Sequence, residues 1–181
     1  VSPVATRRVQ RVPAEWPVLH LEAAPPAWDG LVVDGLVRHP GRFGLQALKG
    51  FGPVRRVVAV HCVWGWSRTD ACWEGVGLDQ VFEVVEPEAG WMTVSSASGT
   101  YSACLPLVDA ARGTLVWARD GETLPTGAGG PLRFLPPPDY WAYKGVKWAD
   151  RVTIVDCFRP GFWESKVADP LGRIPEEVVL P

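Results

Sequence analysis

The sequence reads as a β-rich α+β domain, on three observations. Glycine (19) and proline (18) supply about a fifth of the 181 residues, against a usual share of about 12%. The apolar runs are short, rich in β-branched residues and bounded by turn residues, as strands are. Only one segment of any length keeps a clear helical period. Residues 1–27 are proline-rich and without period, and read as an arm packing on the body through Trp16, Val18 and Leu19. Leu31–Val37 then predicts a strand, stopped at His39-Pro40-Gly41, and Leu45–Lys49 a short helix. Val57–His61 (VVAVH) predicts a buried strand that delivers the chain to Cys62. Leu78–Val85 carries apolar residues at 78, 81, 82 and 85, one face of a helix. Met92–Ser96 and Tyr101–Leu107, joined by a Ser-Gly turn, predict a hairpin; Thr114–Ala118 and Leu132–Leu135 flank a Gly-Ala-Gly-Gly turn. Trp148–Val155 closes the regular part, and the tail from Arg159 reads as irregular. No internal repeat or cuttable linker interrupts residues 1–181, so one domain is expected.

Composition narrows function by exclusion. Lys plus Arg number 18 and Asp plus Glu 20, a net charge of -2, so no basic excess exists to neutralise a phosphate backbone and nucleic acid is not an expected partner. No apolar run approaches the ~20 residues of a membrane span. The amino-terminal arginines lack an apolar h-region, so the cytoplasm is the expected compartment, or the periplasm if a leader has been removed. Cys62, Cys72, Cys104 and Cys157 lie 10, 32 and 53 residues apart with no CxxC pair, and are expected to be reduced. Ten tryptophans require polar acceptors for their indole N–H groups wherever they are buried.

Two loci carry candidate chemistry. The first is Cys62 in HCVWGWS (61–67), at the end of a predicted buried strand. Thiolate is a soft metal ligand, and His61 and Arg68 are expected to favour its ionised form. Cys72, Cys104 and Cys157 read as structural. The second is Gly129–Trp148, where Arg133 follows a Gly-Gly-Pro turn and Lys144 and Lys147 flank Gly145. Lysines with approachable glycine backbone can cradle a phosphate, although neither GxxxxGK[ST] nor GxGxxG is present. Carboxylates form no convincing acid–base pair, and no Ser-His-Asp set can be recognised.

Read in order, WPVLHLE (16–22), HCVWGWS (61–67), WEGVGLDQVF (73–82), TYSACLPL (100–107), ARDGETL (118–124), GGPLRFLPP (129–137), KGVKW (144–148) and PGFWE (160–164) resemble the molybdopterin-binding domain of the sulfite oxidase family. The likeness is strongest to its short haem-free bacterial members. It implies a molybdenum cofactor whose metal takes two sulfurs from a pterin dithiolene and one from Cys62, with no haem. It also implies that Arg133, Lys144, Lys147 and the Gly145 backbone hold the cofactor phosphate and pterin, and that His20 reaches the pterin from the arm. Ser102 passes beside the cofactor in the hairpin, His61 and Trp66 are expected to contact the cofactor next to Cys62, and Trp64 to wall the pocket with Trp66. A small-molecule substrate and an external electron carrier follow, with two-electron oxygen-atom transfer as the reaction, in the sense of sulfite oxidation or of S- or N-oxide reduction. A domain that keeps the fold without catalysis, binding the cofactor or serving as an interaction domain, is the alternative. The chain departs from the family pattern at four places. Ala128 replaces the His or Asn of the basic turn, Trp64 and Gly65 stand where a basic residue is common, and SKVADPLG (165–172) carries no tyrosine. The carboxy-terminal dimerisation domain of true sulfite oxidases is not expected. With Arg68 the one cation in its segment, the pattern points away from sulfite and towards a neutral or bulkier substrate.

Overall fold

The computed structural model describes residues 8–17, 23–25, 27–167 and 169–181; Val18, Leu19 and His20 lie outside them. Along the chain run β1 (Arg8–Val9), β2 (Leu31–Gly35), β3 (Gly41–Phe43), α1 (Leu45–Lys49), β4 (Val54–Val57), β5 (Val60–Cys62), β6 (Trp66–Arg68) and β7 (Cys72–Gly77). After these come α2 (Leu78–Val85), β8 (Trp91–Ser96), β9 (Ser102–Pro106), α3 (Leu107–Ala110), β10 (Thr114–Arg119), β11 (Glu122–Thr123), β12 (Arg133–Leu135), β13 (Ala149–Val155) and β14 (Val178–Val179).

Two five-stranded sheets carry the body. One runs β3-β2-β13-β8-β9, mixed because β13 is parallel to β2 and antiparallel to β8. The other runs β11-β10-β7-β4, with β12 also on β10. Strand alternation aims Leu31 and Val33, Met92 and Val94, and Val152 and Ile154 of the first sheet into the core. There they share one apolar cluster with Val76, Leu115, Trp117 and Phe134 of the second. The helical period of α2 holds: Leu78, Val81, Phe82 and Val85 are all buried in that cluster. The Gln80 side chain takes the Gly77 N–H at 3.1 Å and donates to Phe51 O at 2.9 Å, so it fixes both the start of α2 and the loop before β4. A second, smaller cluster under Cys62 contains Val60, Trp66, Trp73, Val116 and Leu135.

Three expectations change. The run Val57–His61 is two strands in two different sheets: β4 pairs with β7 and ends at Val57, which is 65% exposed, while the buried β5 pairs with β6. Leu107 begins α3 instead of ending the hairpin. The tail is not wholly irregular, since β14 pairs in parallel with β1.

Candidate active site

The β5–β6 hairpin presents Cys62. Its three-residue turn closes through Gly65 at φ +87°, a conformation that favours glycine, with Gly65 N–H donating to Cys62 O at 3.0 Å. The arm braces the hairpin: Arg11 N–H donates to Gly65 O and Ser67 N–H to Arg11 O. Strand alternation sends Val60 and Cys62 into a cavity of about 490 Å³ and His61 to the other side. His61 Nδ1 meets Ser67 Oγ at 2.7 Å, and burial pushes its pKa below the ordinary 6.5. The expectation that His61 touches the cofactor and promotes the thiolate therefore fails on geometry and charge.

The basic turn forms the facing wall. Gly129, at φ +99°, lies against Lys147 so closely that an added Cβ would stand 2.7 Å from Lys147 Cγ. That approach brings Lys147 and Gly145 into the same cavity as Arg133, at the start of β12. Arg133 Nη1 donates to Ala128 O at 3.1 Å, so the position that lacks a polar side chain still serves the arginine through its carbonyl. Lys144 departs from its expected role. Fully buried, it donates to Cys104 O and Pro170 O, each at 2.8 Å, and pairs with Glu164. Glu164 also accepts the Cys104 and Gly161 N–H groups. Lys144 thus holds the cavity wall from behind and does not face the cavity. Ser102 does not line the cavity either; its carbonyl receives Phe162 N–H at 3.2 Å, and its neighbour Tyr101 takes the place foreseen for it.

Among the expected site residues the cavity gathers Cys62, Trp64, Trp66, Arg133, Gly145 and Lys147, and His20 lies outside the described residues. It also gathers residues that the sequence did not single out: Arg119, Tyr101, Tyr143, Trp148 and Trp163. Arg119 had a signal in ARDGETL, a charge at the end of an otherwise buried strand. Two phenols stand here although the tail supplies none. Tyr101 Oη donates to Tyr143 O at 2.5 Å and Tyr143 Oη to Asp169 O at 2.8 Å. Burial, then the nearby Asp169 and Glu164, push the Tyr143 pKa up. Arg68 is engaged elsewhere, with two contacts to Asp70 at 2.9 and 3.0 Å and others to the Pro13 and Ala14 carbonyls.

The donor set tests what could fit. Arg119, Arg133 and Lys147 line the cavity, and no Asp or Glu is among the described lining residues. Two buried N–H groups on its walls, Arg133 Nε and Trp16 Nε1, have no acceptor among the described residues. Burial, then the Arg119 guanidinium, bring the Arg133 pKa down to about 10. A large anionic group rich in acceptors suits this cavity, and a pterin phosphate is one. Among the described residues no three His, Cys, Asp or Glu side chains converge. Cys62 is the one thiol among the described lining residues.

Residues 17–163 match the oxidoreductase molybdopterin binding domain. An uncharacterised oxidoreductase of Bacillus subtilis, YuiH, is 36% identical over 163 residues, covering 86% of this chain and 81% of its own. The catalytic subunit of a protein-methionine-sulfoxide reductase, MsrP of Gluconobacter oxydans, is 27% identical over 78% of this chain, which spans about half (52%) of that subunit's length. Among solved structures, the sulfane dehydrogenase SoxCD of Paracoccus pantotrophus superposes with a TM-score of 0.61. It is 23% identical, over 71% of this chain and 38% of its own, a likeness of fold.

Proposed function

Because the chain belongs to the oxidoreductase molybdopterin-binding domain family, of the sulfite oxidase type, we propose that it is a molybdenum-cofactor-dependent oxidoreductase in which Cys62 Sγ is the protein's ligand to the metal. When bound, the cofactor supplies two-electron oxygen-atom transfer, with water as oxygen source or sink and an external carrier for the electrons. One observation carries the reading: Cys62 shares a cavity of about 490 Å³ with Arg133, Gly145 and Lys147. The residues divide the work of holding the group. Arg133 and Lys147 would neutralise its phosphate, and the Gly145 backbone lets it approach closely. The Arg133 Nε and Trp16 Nε1 groups, without acceptors among the described residues, would bind its polar edges. Trp66, paired across the hairpin with Cys62 and lining the same cavity, would shield the sulfur from water. Tyr101, whose Oη donates to Tyr143 O on the cavity wall, is the phenol we assign to hold a proton there.

The cavity-lining residues within four positions of Cys62 in the chain, Val60, Val63, Trp64 and Trp66, carry no charge. Such surroundings favour a neutral S- or N-oxide over sulfite, whose dianion requires charge beside the metal.

The test is molybdenum and pterin analysis of protein made in a host that synthesises molybdopterin, beside Cys62→Ser. Near-stoichiometric metal and pterin, with the metal's absorption bands lost or altered in Cys62→Ser, are expected. Neither metal nor pterin in either protein would overturn the proposal. A bound centre that turns over no dye-coupled sulfite, sulfoxide or N-oxide would identify a binding domain without catalysis.

A further inference from the structure

The outer strand of the second sheet leaves one edge unpaired. β4 (VRRV) has β7 on one side and, among the described residues, no strand on the other. The register fixes which backbone groups face outward. Cys72, opposite Val57, turns its N–H to Asp120 Oδ1 and its carbonyl to Asp120 N–H, away from β4. Antiparallel ladders alternate, so Val57 and, two residues back, Arg55 present their own N–H and carbonyl groups to the open edge. The bond from Val58 N–H to Ala71 O fits the same alternation. Arg55, Arg56 and Val57 are all exposed, Val57 at 65%. Neither arginine has an ion pair among the described residues. An open edge of this kind accepts a further strand, and its side chains decide which. Two β4 strands laid together would set arginine against arginine, so β4 does not pair with another β4 and selects an acidic segment.

The chain carries such a segment. Glu176 and Glu177 are consecutive, exposed and without an ion pair among the described residues. They run directly into β14, which has β1 on one side and, among the described residues, no strand on the other. Gln10 N–H donates to Val179 O, so Val179 faces β1, and the Val178 carbonyl and Leu180 backbone face the open side. Leu180, 38% exposed, and Val57 supply an apolar contact beside the charges. Within one chain the two arginines and the two glutamates form no ion pair, so their complementarity is left for a second copy. We propose that β4 of one copy takes the 176–180 segment of a second copy along its open edge, with Arg55 and Arg56 against Glu176 and Glu177. A twofold axis makes the contact twice, each copy giving one tail and taking one. Two contacts in one dimer supply the strength that a single edge of four residues lacks. β1 and β14 stay paired throughout. The proposal is independent of the cofactor reading and needs no group in the cavity.

Sedimentation equilibrium of the full chain over a range of concentrations tests it. A monomer–dimer equilibrium is expected, weakened by salt because exposed charges set the match. Arg55→Glu with Arg56→Glu should weaken the dimer about a hundredfold or more, by setting four like charges together. Glu176→Arg with Glu177→Arg should do the same. All four positions are exposed, so both variants keep the wild-type fold, which circular dichroism checks. Mixed in equal amounts, the two variants should dimerise again about as tightly as wild type, since each edge then meets a tail of opposite charge. Amide exchange at Arg55 and Val57, followed by NMR, should slow as the wild-type concentration rises, while Arg56 N–H, directed at β7, should not change. A wild-type chain that stays monomeric at the highest concentration overturns the proposal. So does a dimer that both charge reversals leave intact. Loss of the dimer in each variant without recovery on mixing overturns it as well, because the two segments are then not partners. Exchange at Arg55 and Val57 that ignores concentration in a charge-sensitive dimer rejects the strand pairing.

Discussion

Lys144 and Lys147 share one motif, yet Lys147 lines the cavity while Lys144 is buried against Glu164. KGVKW offers two lysines three positions apart, and both suit a phosphate on composition. What separates them is the partner: Glu164, twenty residues away in PGFWE, with its two backbone N–H donors. Gly161 makes the meeting possible, because a Cβ there would stand 2.0 Å from Ser102 O. Nothing in a single sequence ties a glutamate to a distant lysine, so this part of the site was illegible. Burial lowers the Lys144 pKa and Glu164 opposes that shift. Removing one member of a buried pair leaves the other charged and dry, at a cost of about 3–5 kcal/mol. Glu164→Gln and Lys144→Met should each lose about 3 kcal/mol in urea unfolding. Their double mutant should show a coupling of about 1 kcal/mol or more. Strictly additive losses would mean that the two side chains act independently.

At the scale of elements, legibility followed how local the cause was. The α2 period is a property of eight consecutive residues, and the helix lies where the period put it, with the expected four side chains buried. The run VVAVH is equally regular, yet β-branching reports extended chain and not the strand it joins. The break falls where Val57 reaches the edge of one sheet and Val60 turns inward to another pairing. Cys62 was legible because a strand end followed by a tight turn is local. The course of β7 was not, although Gly75 within it marks a close approach. A Cβ at Gly75 would lie 2.1 Å from Leu115 O and 2.8 Å from Val116 Cα on β10. Both atoms are backbone in the second sheet, so no side chain can yield. Gly75→Ala should therefore cost about 3 kcal/mol, the upper end for overpacking. Gly90→Ala, with nothing within 4 Å of the added methyl, should be close to neutral. Equal midpoints for the two variants in thermal unfolding would refute the β7–β10 approach.

Over the whole molecule, a net charge of -2 conceals a division of charge. Among the described residues the cavity gathers cations without carboxylates, while carboxylates elsewhere tie distant segments together, and bulk composition reports neither. Asp109 is such a tie. At the end of α3 it accepts Tyr140 Oη at 2.8 Å, Arg112 at 3.0 Å and Arg173 at 2.7 Å, and Asp139 receives the same two arginines at 2.9 and 3.0 Å. Together with the β1–β14 pairing, this fastens the last residues of the chain to the body. Burial disfavours the Asp109 carboxylate, but the bonds from Tyr140, Arg112 and Arg173 outweigh it and hold the pKa below the ordinary 3.8. The unfolded chain therefore binds this proton more tightly than the folded one, and stability falls as the proton is taken up. The Asp109 contribution is complete above pH 3.8 and is lost as pH falls through the lower folded-state value. Asp109→Asn should cost about 2 kcal/mol at neutral pH, where charge-assisted bonds are lost. Its stability should also decline less steeply than that of wild type below pH 4 or so. Urea unfolding of both proteins between pH 7 and pH 3 measures the two effects together. A loss at neutral pH with an unchanged acid slope would show that Asp109 packs α3 without titrating, and that another carboxylate governs acid unfolding.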